Sequence, residues 1–317
     1  MVPAMKLFSI FLATISHLYF LMAAEVFAEV ASEPNNEIGV NEIGAKSPEE
    51  LIYWYRNYDS GPSLALLQLA LDQTKDLFGE VVIKRGEEVT QGRAIIDLEH
   101  GNDSSLQIIN VVVNPDREKK LIPIRVAADE GLIGLRVCVI NKEDKALFEN
   151  VRSHKDILDR DIVFGQGVHW PDTEILQTNG FQVETSATFE NLFPMLEFRR
   201  FNCFLRGVSE ARDDLKRLGE NEFIIEPNLL FSYPSATLFF VNKSERLLAA
   251  RIELGLRRAI LNGSYQTHFK KRYDDDIKAL KLSERRVIRL NNPLISDDIL
   301  KRTSERPQFS DGKLEVY

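Results

Sequence analysis

The segment that most constrains this chain is Asp161-Ile-Val-Phe164, a β-rich apolar run that enters Gly165-Gln-Gly167 and leaves at Pro171 as an acidic, periodic helix start reaching Leu176. Strand, glycine turn and helix N-terminus in that order predict a point where backbone N–H groups converge. The first amides of a helix have no internal partners and carry partial positive charge, so such a point suits an anionic or strongly polar ligand. Two glycines also permit an ordinary tight turn, so the surroundings decide.

The surroundings repeat the alternation. Leu51-Ile-Tyr-Trp-Tyr55 is β-branched and aromatic and predicts a strand. Ser60 and Pro62 fit the cap and first turn of a helix, with Leu64, Leu67, Leu71 and Leu77 on one face and Gly79 as its stop. A strand at 81–83, a helix at 88–100 and a strand at 106–113 complete a βαβαβ block, the pattern of a layered sheet with helices on its faces. After an irregular connection at 114–131, strands are predicted at 135–140, 161–165, 180–184 and 201–205, with helices near 144–159, 170–179, 187–198 and 208–218. Thr237-Leu-Phe-Phe-Val241 reads as a central strand. A helix capped at Ser244 follows, striped by Leu248, Ile252, Leu256 and Ile260 and ended by Asn262-Gly263. Two such blocks predict two lobes: a first over 47–130, a second over 131–228, a return to the first over 229–282, and a charged, irregular tail over 283–317. Lobes joined by crossings near 128–136 and 225–236 imply a hinge, and ligands usually sit in the cleft between lobes.

Composition narrows the setting. Lys6 precedes an almost wholly apolar run from Leu7 to Ala24, and Val26-Phe27-Ala28 gives a small-x-small cleavage site, so residues 1–28 read as an export signal rather than a membrane anchor. Residues 29–46 read as a flexible leader. The net charge of -8 argues against nucleic acid or an anionic membrane surface as partner. Cys138 and Cys203 each lie inside an apolar run and are expected to pack as small core residues rather than to bond, although an exported protein can oxidise them if they meet. Neither has the His or Cys neighbours that a metal site needs.

Four further stretches carry a family signal: Gly165-Gln-Gly-Val-His-Trp-Pro-Asp-Thr-Glu-Ile-Leu176, Asn179-Gly-Phe181, Arg206-Gly-Val208 and Tyr233-Pro-Ser-Ala-Thr-Leu-Phe-Phe-Val-Asn-Lys243. With these the chain resembles the bacterial periplasmic solute-binding proteins of the type II fold, in particular the polar-amino-acid group, over roughly residues 47 to 295. The resemblance implies an α/β, two-lobed architecture of mixed sheets with flanking helices and two interlobe crossings. It implies a monomer of the periplasm that closes around a small polar ligand and hands it to an ABC transporter. The alternative is a soluble sensing partner of a membrane signalling receptor. No cofactor and no metal is implied.

The same resemblance nominates the site. The family grips the ligand carboxylate with an Arg after the third strand, and Asn114-Pro-Asp-Arg117 occupies that place. The planar fork of Arg117 matches a carboxylate bidentately, although Val112 and Asn114 stand where the family has hydroxyls. Gly167 and Val168 match the helix-start Gly-Thr pair, without the hydroxyl. The family's ammonium-binding Asp has no counterpart, because the region reads Arg206-Gly207. Arg117 and Arg206 facing one cleft would favour a carboxylate or other anion over an ordinary amino acid. Tyr58 and His169 are the remaining cleft candidates, while Trp170 is expected to pack its helix on the sheet and Asp172 and Glu174 to complement the helix dipole. An enzyme is not expected: His169, Asp172 and Ser209 nominally supply a triad, but no G-x-S-x-G elbow, H-E-x-x-H or phosphate-binding loop accompanies them.

Overall fold

The computed structural model describes residues 50–101, 106–295 and two short strands at 308–310 and 313–315. The expected export signal, the leader and part of the expected tail lie outside the described residues. No helix among the described residues is long and apolar enough to cross a membrane.

The first lobe is built on β1 (Glu50–Tyr53), β2 (Val82–Arg85), β3 (Ile108–Val112) and β4 (Ile122–Ile124). Its helices include Gly61–Asp72 and Gln91–His100. The helix Gly61–Asp72 buries Leu66, Leu67, Ala70 and Leu71 against β1 and the return helix described below. It ends six residues earlier than its leucine spacing suggests. The Thr74 hydroxyl donates to the carbonyls of Ala70 (3.3 Å) and Leu71 (3.0 Å), satisfying the last turn, and Leu77 is left exposed on a separate short helix. The connection expected to be irregular contains β4 and a helix, Pro115–Lys120, because Asn114 caps it (Arg117 N–H to Asn114 Oδ1, 2.8 Å) and proline fills its first position.

The second lobe carries β5 (Leu135–Asn141), β6 (Val163–Gly167), β7 (Gln182–Ser186), β8 (Cys203–Gly207), β9 (Phe223–Ile225) and β10 (Leu229–Ser232). Only then does β11 (Thr237–Val241) rejoin the first sheet, whose order is β2-β1-β3-β11-β4 with β11 antiparallel to both neighbours. The return therefore begins at 233 rather than 229, since β10 pairs with β5 inside the second lobe. The helix Arg246–Leu261 follows and buries Leu248, Ile252 and Leu256 of the predicted stripe, while Ile260 at its end is exposed. Its cap is Glu245, one residue past the expected Ser244.

Two features depart from the sequence expectation. First, Cys138 and Cys203 form a disulfide with Cα atoms 5.0 Å apart. They lie 65 residues apart in sequence, but β5 and β8 are antiparallel neighbours whose register (Cys138 opposite Leu205) sets the two cysteines diagonally on one face. Second, the chain crosses between lobes a third time. The helix Ser264–Leu280 puts Tyr265 into the first-lobe core, with its hydroxyl donating 2.5 Å to the Ala127 carbonyl, and puts Phe269 and Leu280 into the second-lobe core. After it, β12 (Arg286–Arg289) joins the second sheet in parallel beside β10, so the start of the expected tail is a structural strand. That sheet runs β12-β10-β5-β8-β6-β7, with β9 paired to β5. A separate hairpin pairs β13 (Gln308–Ser310) with β14 (Lys313–Glu315).

The two linking segments are tied together as well. The Ala128 N–H donates to Thr237 O (2.8 Å) and the Tyr233 N–H to Gly134 O (3.1 Å). Asp129, buried between them, accepts from the Ile133 N–H (2.8 Å), the Gly131 N–H (3.3 Å) and the Thr237 hydroxyl (3.4 Å).

Candidate functional site

Arg117 is held by its own short helix at the lobe boundary and is 3% exposed. Its guanidinium donates to the Val112 carbonyl, to Gln91 Oε1 (3.1 Å) and, across the cleft, to the main-chain carbonyl of His169 (3.0 Å). All three acceptors are neutral. Burial therefore pulls the guanidinium down to about 10, only partly offset by the more distant charges of Asp172 and Asp116. A buried cation hydrogen-bonded only to neutral oxygens is costly to keep and is favourably placed to receive an anion.

Around Arg117 the lobes meet at several points that the sequence did not single out. Gln91 and Gly92 open the helix Gln91–His100, capped by Thr90. Gly92 lies against the His169 ring: a Cβ there would stand 2.9 Å from His169 Cδ2 and 3.0 Å from Nε2. Arg56 forms an ion pair with Glu190, and its guanidinium sits 4.9 Å from the centre of the Phe189 ring. The one local cue was Thr90-Gln91-Gly92, a capped helix start with glycine in its first turn. Tyr58 is half-buried against the first-lobe core.

The glycine segment is not an amide cradle. Neither Gly165 nor Gly167 has a positive φ, and both belong to β6. Each makes room for a ring: a Cβ at Gly165 would fall 2.2 Å from Phe201 Cζ, and one at Gly167 would fall 2.7 Å from Trp170 Cε2. The Val168 N–H is already donated to Ser186 O (3.0 Å), and Pro171 removes the first helical donor altogether. What this segment does offer the cleft is the carbonyl and ring of His169.

Arg206 is differently placed from the expectation. It donates through Nε to Asp214 Oδ2 (2.5 Å), pairs with Glu210 Oε1 (3.3 Å) and lies over the rings of Trp170, Phe204 and Phe189 at 4.9, 5.1 and 5.3 Å. Burial works against its charge, but Asp214 and Glu210 outweigh burial and hold the guanidinium above its ordinary value. Beside it, Arg136 of β5 pairs with Asp172 (2.7 Å) and Glu210 (3.5 Å) and donates to the Tyr233 hydroxyl (2.9 Å), which itself donates to Asp172. Three carboxylates surround these two guanidiniums, so this wall supplies its own anions. Arg206 is therefore not the second free arginine that the expected anion preference required. Asp172, the acid of the nominal triad, is committed to Arg136 and Tyr233. Among the described residues no group of three His, Cys, Asp or Glu side chains is arranged to hold a metal ion.

Solved structures share this arrangement of lobes. A variant of an arginine-binding protein from T. maritima is 15% identical, with a TM-score of 0.51 over 71% of this chain and 96% of that one. The chain has the two-lobed fold of the type II periplasmic binding proteins. A periplasmic binding protein of Salmonella typhimurium described for its high arginine specificity superposes with a TM-score of 0.52 at 14% identity, covering 71% of this chain and all (100%) of its own. An ancestral amino-acid-binding protein, described as a precursor of cyclohexadienyl dehydratase, gives 0.52 at 13% identity over 71% and 95%. No protein-family model and no curated protein matches the sequence, so the likeness is one of fold.

Proposed function

We propose that this chain is a periplasmic solute-binding protein that takes a small polar ligand between its lobes through an anionic group seated on Arg117, and delivers it to an ABC transporter. The observation that carries the reading is the state of Arg117: buried, at the lobe boundary, and hydrogen-bonded only to neutral oxygens. A carboxylate replacing the His169 carbonyl and the Gln91 amide at Nη2 would return a charge-assisted pair for two neutral bonds. Gln91 and His169 then line the ligand. Arg206 acts behind it as charge-paired support. The buried Cys138–Cys203 disulfide suits an oxidising compartment outside the cytoplasm. One protein of the same fold is described as the substrate-binding protein of an amino acid ABC transporter.

Calorimetry and thermal shift against a panel of small carboxylates, amino acids and amines test this. A carboxylate-bearing ligand at a hundred times its Kd stabilises the fold by about 2.7 kcal/mol, is recovered chemically unchanged, and loses its effect in Arg117→Met. Preferential binding of a purely cationic ligand, or carboxylate binding undiminished in Arg117→Met, overturns the assignment.

A further inference from the structure

We infer that the two lobes latch each other through the protein's own groups, so that the docked pose of the lobes does not depend on a ligand. Three contacts span the cleft, two of them through His169. The Arg117 guanidinium donates to the His169 carbonyl (3.0 Å), which stands where an anion would otherwise be received. The His169 ring lies against Gly92, so close that a Cβ there would stand 2.9 Å from Cδ2 and the ring would have to move. At the mouth, Arg56 joins Glu190 and stacks on Phe189 (4.9 Å).

Behind the cleft, the helix Ser264–Leu280 is a strut anchored at both ends. Tyr265 is buried in the first lobe, and Phe269 and Leu280 are buried in the second. Rotation about the two linking segments alone would leave that helix either bent or pulled from one core. Bending a helix interior needs a proline, a glycine or an inserted group, and Ser264–Leu280 contains neither proline nor glycine. The latch contacts are modest one by one, since Arg56 and Glu190 are partly exposed. They act on lobes that the strut already holds close. A ligand on this arrangement competes with the His169 carbonyl rather than drawing two separated lobes together.

The test needs no ligand. Both native cysteines are bonded to each other, so spin labels go on cysteines introduced by Glu87→Cys in the first lobe and Lys216→Cys in the second, both exposed. Electron-spin distance measurements on the ligand-free protein are expected to give one short, narrow distribution. Arg117→Gln, which removes a hydrogen bond from a charged donor, shifts the docked-to-separated ratio by roughly tenfold or more toward separation. Gly92→Phe, wedged against His169, does the same. Arg56→Glu adds a smaller shift that Glu190→Arg restores in the double variant. A long or broad distribution in the unsubstituted protein overturns the inference. A short distribution that survives both Arg117→Gln and Gly92→Phe overturns the role given to these contacts. Failure to bind any carboxylate would sink the anion reading above and leave these distances untouched.

Discussion

Arg117 and Arg136 are both buried guanidiniums on either side of one cleft, each 3% exposed, yet they are opposite in kind. Arg136 is neutralised by Asp172 and steadied by Tyr233 and Glu210, whereas Arg117 has only carbonyl and amide oxygens. The first arrangement is a structural joint, since both linking segments lean on it: Arg136 follows one and Tyr233 opens the other. The second is a charge left uncompensated by its own fold. Burial alone therefore does not mark a binding residue. The proposed reading of Arg117 rests on its missing counter-charge together with its place between the lobes, since Arg285, also buried and bonded only to carbonyls, lies inside the second lobe.

The largest effect separating the two is on stability. Arg136→Met leaves Asp172 and Glu210 facing a buried site without their cation, and is expected to cost about 3–5 kcal/mol in denaturant unfolding. A loss under 1 kcal/mol would mean the joint is as dispensable as a surface pair.

Asp129 gives the mirror image of Arg117, a buried carboxylate among neutral donors. Burial raises it from 3.8 to about 6, with the bonds from Ile133 and Gly131 only partly offsetting that. The folded state thus holds this proton where the unfolded chain has released it. Its contribution is fully present below about 4 and is lost as pH rises through about 6, by up to about 3 kcal/mol. Unfolding curves from pH 4 to 7 should show this fall relative to Asp129→Asn, and parallel curves would contradict it.

The smallest effect belongs to Arg117. Arg117→Met removes an uncompensated charge as well as three hydrogen bonds, so stability should change by about 1 kcal/mol or less. A loss as large as that of Arg136→Met, measured in the same denaturant series, would erase the contrast.

Much of the scaffold was legible. The leucine and β-branched runs that predict the 237–241 strand and the stripe Leu248, Ile252, Leu256 occur as expected, because side-chain period and burial act along one element. Arg117 was nominated by the family resemblance, while its local Asn114-Pro115 helix start went unread inside a connection expected to be irregular. The glycine segment misled: Gly165 and Gly167 are signs of close approach as much as of turns, and the rings they admit, Phe201 and Trp170, are identified only by packing.

The sequence by itself determined the elements, since helix caps, strand alternation and glycine stops depend on residues a few positions apart. Only the tertiary structure decided which charges are paired, that Cys138 meets Cys203, and that the helix Ser264–Leu280 ties both lobes. Those outcomes depend on sheet order, in which β5, β8 and β6 are neighbours out of chain sequence. Electrostatic and packing forces act through space, so Arg206 finds Asp214 and Arg136 finds Asp172, while Arg117 meets a carbonyl.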